Sequence, residues 1–411
     1  MNERTPAIKS TVLVFLYASA FLTAMGMGLV GPVLPYVVGR FVSDPRALAA
    51  TVSALAMSYA LCAFIAAPAF GALADRYGRR PVLLVSLAGS ALGYAVFGLA
   101  GALPLLFLGR IIDGLTAGNF SALFGMLADS TRPEERGGIF ARIGAVLGGG
   151  IILGPAVGGL ASQISLEAPV FIAAGLCLLT MVWGLLFAPE THVTGRSTAP
   201  VQLAQLNPFT QIADLLGVAR LRPLLLAGAL FMIPFAMMQG LFGVQLKTAL
   251  GWGPELTSTV FVAVGVSDII VQGLLLGWLQ RRFGELPVAR GALLLGIIGL
   301  IAQGLLPVLP SSLLAYAGVM TFAIGEGAFS ATLGALLSQA AGDAQGKVQG
   351  GNQALNAAAQ VLGPLLGGSL ASRTNLSVPF YVGAGLVTLA GLTLGRAPGG
   401  NASGSKLEPQ V

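Results

Sequence analysis

The sequence predicts an all-α membrane protein in which twelve transmembrane helices form two pseudo-symmetric six-helix bundles. Three observations carry this expectation. Of 411 residues, 55% are hydrophobic and 9% charged, with mean hydropathy +0.85, against about a quarter charged in an ordinary soluble domain. Apolar segments recur twelve times, each long enough for the roughly 20 residues that cross a bilayer. Motifs of the first six segments return in the same order in the second six.

Charge clusters and Gly, Pro and Asp turns delimit the spans. The first, 11–38, carries no charge; it is too long for a signal peptide and lacks a small-residue cleavage site, so it reads as a retained helix. Asp44, Pro45 and Arg46 separate it from 48–73, and Asp75 to Arg80 separate that from 81–101. The spans 104–128, 138–163 and 168–188 complete the first half, divided by Gly101 to Pro104, by Arg132 to Arg136 and by a short polar turn. A long polar stretch from Glu190 to Leu221 follows. Beyond it lie 223–246, 256–279, 288–307, 311–338, 348–371 and 378–396. The expected organisation is therefore an N-terminal bundle over 1–189, a cytoplasmic linker over 190–221, a C-terminal bundle over 222–396 and a cytoplasmic tail over 397–411.

Orientation follows from the basic residues. With the N-terminus inside, seventeen fall on inward loops and ends, from Arg4 and Lys9 through Arg196 to Arg396 and Lys406, against four outward (Arg40, Arg46, Lys247 and Arg373). Both termini are expected in the cytoplasm. The halves also align with each other. Gly71 to Gly78, through Pro81, realigns on Gly277 to Gly284, through Pro287, at an offset of 206; Gly118 to Ala122 realigns on Gly327 to Ala331, and Gly154, Pro155, Gly158 and Gly159 on Gly363, Pro364, Gly367 and Gly368, at 209. Each half starts inside and holds an even number of spans, so the repeats are parallel about an axis along the membrane normal, with a site expected between them near the midplane.

Composition excludes several chemistries. Cys62 and Cys177 lie in apolar runs without metal or disulfide spacing, and the single histidine, His192, lies outside every span. No phosphate-cradling loop and no basic patch interleaved with aromatics is present. No metal, cofactor, nucleotide or nucleic acid is expected, and no nucleophile–base pair stands at usable spacing for an enzyme. An ion gradient is the remaining energy source.

Gly71, Asp75, Arg76, Gly78, Arg79 and Arg80, running on through Pro81 and Leu83, form a segment that resembles the loop signature between the second and third helices of the major facilitator superfamily. Leu106, Arg110, Asp113 and Gly114 resemble its fourth-helix motif; Gly150, Gly154, Pro155, Gly158 and Gly159 resemble the fifth-helix motif of drug:proton antiporters; Pro189 to His192 is similar to a segment of tetracycline-efflux relatives. The resemblance implies a twelve-span proton antiporter. Asp113 stands where the superfamily usually has an amide, and the first span lacks the acidic residue typical of tetracycline pumps, so coupling falls to other carboxylates.

Of sixteen acidic residues, only Asp113, Asp268 and Glu326 lie well inside spans. An ionised carboxylate is costly there, so each is a candidate to bind a proton from one side and release it to the other. Arg110, three residues before Asp113, shares its helical face; the two form either a neutralised structural pair or a proton switch, and the resemblance implies the switch. Glu326, between Gly325 and Gly327, is either a proton or cation site or a permanently neutral carboxyl; Asp268, beside Ser267 and one turn before Gln272, divides the same way.

Phe235, Met238, Gln239, Phe242 and Gln245 of the seventh span are either core or an adaptable pocket for amphipathic molecules. Asn352, Asn356 and Gln360 share one face of the eleventh span, pointing to the cavity or to a neighbouring helix. The glycine-dense fifth span packs closely, and Pro155 bends it; a tight seam there would seal against proton leak. Gly71 to Arg80 is either a positive-inside anchor or a cytoplasmic gate. The expected function is a proton-coupled antiporter of the bacterial inner membrane, acting as a monomer and exporting small amphipathic compounds by alternating access. Its rivals are a proton symporter importing a metabolite and a non-transporting receptor or scramblase.

Overall fold

A computed structural model of the chain describes residues 10–132, 135–191, 208–341 and 345–395. His192, Arg196, half of the expected linker (192–207) and the whole expected tail lie outside the described residues. Among the described residues every regular element is helical, as lipid requires: the bilayer core offers no water to unpaired backbone groups, so a spanning segment must satisfy its hydrogen bonds internally.

In the first half α1 is Ser10–Val30, α2 Leu34–Val38, α3 Pro45–Tyr77, α4 Arg79–Gly98, α5 Leu103–Leu115, α6 Asn119–Ser130, α7 Arg136–Ala161 and α8 Ala168–Phe187. After α9, Pro208–Leu216, the second half contains α10 (Arg222–Leu250), α11 (Pro254–Ile270), a π turn (Val271–Leu275), α12 (Leu276–Phe283), α13 (Glu285–Leu305), α14 (Ser312–Ala341), α15 (Gln345–Arg373) and α16 (Val378–Leu394). Eleven crossings are long and apolar enough to span; the twelfth, α16, is a 17-residue apolar helix.

Three expected spans are not single straight helices. The segment 11–38 leaves the α1 axis after Val30 and turns into α2. The fourth breaks at Thr116 to Gly118 between α5 and α6, and the eighth passes through the π turn, a local widening often found at functional sites. Helix starts follow local chemistry: the Asp44 carboxylate accepts the Ala47 N–H at 2.7 Å and Pro45 opens α3, while Pro104, Pro169, Pro223, Pro254 and Pro379 occupy first-turn positions where no N–H is missed.

Within the first half α1 packs on α7 and α4 packs on α5 and α8; within the second, α10 packs on α15 and α16, and α13 packs on α14 and α16. The halves meet through α3 on α15 and α7 on α11, which are symmetry-related pairs under the sequence repeat. Gly78 and Gly284, matched in that repeat, both take positive φ, 107° and 82°, where a residue with a Cβ is strained. Here the repeated glycine has a backbone reason: each lets the chain turn directly from one span into the next.

Candidate functional site

A cavity of about 210 Å³ lies between the halves. The first half supplies Met27 and Leu34, Tyr59 from α3, Tyr94 from α4, and Arg110 and Asp113 from α5; the second supplies Gln239 from α10, and Gln360 and Pro364 from α15. Its polar groups are therefore one ion pair and two tyrosines facing two amides.

The three-residue spacing brings Arg110 and Asp113 together, Nη1 to Oδ2 at 3.7 Å. Asp113 is 4% exposed, and its Oδ1 accepts the Ser90 hydroxyl of α4 at 2.7 Å. The Arg110 guanidinium lies 5.0 Å from the centroid of the Tyr59 ring, a cation–π arrangement that suits a poorly hydrated charge, and its Nε is buried without a hydrogen-bond partner among the described residues. A buried pair at this distance offsets its desolvation cost only in part. Its partner contacts are few, so a change of charge on Asp113 alters the field in the cavity directly.

The other intramembrane acids stand together inside the second half. Glu326 Oε1 accepts the Ser330 hydroxyl at 2.8 Å. Among the described residues Asp268 Oδ1 is buried without a hydrogen-bond partner; it and the Gln272 amide both press on Gly327, where a Cβ would lie 2.9 Å from each. Of the eight positions expected to touch substrate, Gln239 and Gln360 line the cavity. Phe235 stacks on Phe322 at 6.4 Å and Met238 is buried. Phe242 packs edge-on against Phe261 at 6.0 Å. Gln245 donates to the Gln303 carbonyl at 2.6 Å, and Gln303 in turn donates to the Ala315 carbonyl, so this amide is used inside its own half. Asn352 and Asn356 are half-buried on α15, away from the cavity lining. Sequence reasoning missed Ser90, Tyr59 and Tyr94; the tyrosines, polar-tipped aromatics within spans, offered a weak signal.

The fifth-helix glycines face two ways. Gly150, Gly154 and Gly158 press on the α1 backbone; a Cβ at Gly154 would lie 2.6 Å from the Met25 carbonyl oxygen. Gly159 instead meets Ser258 of the other half, and its repeat mate Gly368 meets Ser53. These seats lie on the face of the molecule away from the one where α1 begins and α16 ends. On that second face Arg79 pairs with Asp75 at 2.9 Å and Asp129 at 3.3 Å, all within the first half, and Asp75 remains 55% exposed. The Glu190 carboxylate accepts the Arg79 and Arg80 N–H groups at 3.0 and 3.3 Å, capping α4 where its N-terminal dipole favours an anion. Arg80 reaches back to the Leu185 carbonyl at 2.6 Å. Arg76 lies against the Tyr77 ring and Gly71 faces open space. Among the described residues Asp75 has no cross-half partner, so there the halves are tied on one face and not by Asp75 on the other.

A helical polytopic protein with a polar cavity between two parallel repeats is a membrane transporter of small solutes. The chain belongs to the Major Facilitator Superfamily, whose sequence profile matches residues 16–350 and 247–410. It is 32% identical to the tetracycline resistance protein, class B, of Escherichia coli over 88% of both chains. To multidrug resistance protein 2 of Bacillus subtilis (strain 168) it is 26% identical over 94% of both. In fold it is similar to the human organic anion transporter MFSD10 (TETRAN), with a TM-score of 0.69 at 22% identity, covering 94% of this chain and 99% of that one.

Proposed function

We propose that the protein is a proton-coupled antiporter that exports small amphipathic compounds, tetracycline-like molecules among them, by alternating access. The observation that carries this reading is the cavity between the halves, where the Arg110–Asp113 pair faces Gln239 and Gln360; the names of the relatives supply the substrate class. Protonating Asp113 removes its charge from Arg110 and leaves an uncompensated cation in the cavity, which expels a cationic substrate. Deprotonation restores the neutral pair and readmits it. Asp268 and Glu326 form a second carboxyl group set in the other half, available to the same proton traffic.

In this reading Gln239 and Gln360 hold the substrate's polar groups, and Phe235, Met238, Phe242, Gln245, Asn352 and Asn356 contribute as the halves rock and the cavity changes shape. Gly71, Asp75, Arg76, Gly78, Arg79 and Arg80 form a cytoplasmic gate, in which Asp75 finds a partner across the halves when that face closes. Gly150, Gly154, Pro155, Gly158 and Gly159 form a leak-proof seam. The halves, 1–189 and 222–396, move about the linker 190–221; both termini and the tail 397–411 are cytoplasmic. The protein acts as a monomer in the bacterial inner membrane, without enzymatic activity or nucleic-acid partners.

Proton movement in sealed proteoliposomes with an imposed pH gradient tests this. Adding a panel of amphipathic drugs, a tetracycline included, is expected to trigger proton flux opposite to drug movement. Drug moving with protons would make the protein an importer, and no flux with any compound would overturn the transporter reading.

A further inference from the structure

Three sets of contacts tie the halves on the face that lies away from the start of α1 and the end of α16. Two are the symmetric seats of Gly159 on Ser258 and Gly368 on Ser53. The third has no symmetric mate. Tyr36, on the short helix α2 of the first half, donates its hydroxyl to the Trp252 carbonyl of the second at 2.7 Å, and the same oxygen lies 2.7 Å from Thr257 Oγ1. Lys247, at the end of α10, places its ammonium 5.3 Å from the Tyr36 ring centroid and donates to the Pro35 carbonyl at 3.4 Å. It also occupies the space where any side chain at position 39 would go, since Gly39 abuts the Lys247 ammonium. At the 209-residue offset from Tyr36 stands Gln245, whose amide is bound to Gln303 within its own half.

We propose that Tyr36 and Lys247 form a one-sided latch that holds this mouth of the cavity shut, so that the mouth opens by releasing α2 from the α10–α11 turn. The latch deepens the antiporter reading and rests on it for its consequence: under the proposed orientation it guards the side on which substrate leaves. The chemistry suits a latch more than a permanent joint. A buried phenol must keep a hydrogen-bond partner, yet both the Tyr36 hydroxyl and the Lys247 ammonium lie near a face where water replaces those partners once the mouth parts. Closing therefore rewards the full set of contacts, and opening leaves none of them stranded. The glycine seats are different: they are steric, and they hold the halves in register without a directional bond.

The test is thiol labelling, without substrate or proton gradient. Leu34, which lines the cavity at α2, is replaced by cysteine in a Cys62→Ser, Cys177→Ser background, and a membrane-impermeant maleimide is applied to right-side-out and, separately, inside-out vesicles. In the population that presents this face, Tyr36→Phe and Lys247→Met are each expected to raise the labelling rate at least fivefold. Thr257→Val is expected to raise it by less, and to add nothing to Tyr36→Phe, because both remove the same bond. Should Tyr36→Phe fail to accumulate, Thr257→Val and Lys247→Met carry the measurement. Unchanged labelling in these variants, or full additivity of Tyr36→Phe with Thr257→Val, overturns the latch. The proton-flux assay is not involved, so loss of the latch and loss of the exporter reading are seen separately.

Discussion

The two halves share a backbone plan and differ in the chemistry placed on it. In the first, Gly93 of α4 packs on Gly109 and Asp113 of α5; in the second, Gly299 of α13 packs on Gly318 and Phe322 of α14. These are matched positions under the 209-residue repeat, apart from the 206-residue offset between Gly93 and Gly299. Val319 therefore stands where Arg110 is, and Phe322 where Asp113 is. Phe322 is fully buried and stacks on Phe231 at 5.7 Å with ring planes 4° apart. The first half breaks its helix at Thr116 to Gly118, just beyond the ion pair, whereas α14 runs unbroken from Ser312 to Ala341. What the repeat retains is the close approach of backbones; the side chains facing that contact are free to be an ion pair in one half and an aromatic stack in the other.

If that contrast assigns the proton switch to the first half, removing its charge has the largest effect. Asp113→Asn is expected to bring substrate-driven proton flux to background, while Glu326→Gln and Asp268→Asn retain a measurable fraction; complete loss in Glu326→Gln with activity kept in Asp113→Asn would transfer the switch to the second half. The stack makes the opposite demand. Phe322→Ala is expected to destabilise the purified protein by roughly 3–5 kcal/mol, the usual cost of emptying a buried aromatic site, measured as a fall in thermal unfolding temperature. Ser90→Ala, which leaves the Asp113 Oδ1 unpaired, is expected to cost about 1–3 kcal/mol in the same measurement. An equal or larger loss at Ser90 would mean that the polar half, and not the aromatic one, carries the rigidity.

Much of this contrast was legible before any coordinates. Hydropathy and turn residues reveal the spans because lipid imposes one length and one backbone solution on each. The repeat in glycine and proline marks close approach, which depends on residue size alone, and the Arg110–Asp113 pair follows from a three-residue spacing on one helix. Contacts between helices are a different matter. Nothing along the chain says that Ser90 meets Asp113, that Tyr59 lies under Arg110, or that Gln245 turns to Gln303 while Gln239, six residues earlier, faces the cavity. The α10 residues fall on several faces of the helix, and only the packing of α15, α3 and α13 around it decides which face is wet. The Glu190 cap on α4 joins positions more than a hundred residues apart, so its segment was recognisable only as a resemblance.

The smallest effects separate backbone from side-chain causes at the matched loops. Gly78 and Gly284 share a positive-φ conformation with extended ψ, 160° and 165°, a region essentially confined to glycine, so alanine at either incurs a backbone penalty of about 1–3 kcal/mol. Their surroundings differ. A Cβ at Gly78 would collide with the Glu190 carboxylate that caps α4, whereas the nearest atom to a Cβ at Gly284 is in Pro287, at 3.9 Å. Gly284→Ala is thus expected to lower stability by the backbone penalty alone. Gly78→Ala displaces Glu190 as well, weakening its hold on the Arg79 and Arg80 N–H groups. Combining each with Glu190→Ala sharpens the point: the losses in unfolding temperature should fall short of additive with Gly78→Ala, which already disturbs that carboxylate, and add in full with Gly284→Ala. Full additivity at both sites would mean that the loops differ in sequence without differing in function, and that Glu190 yields its place without cost.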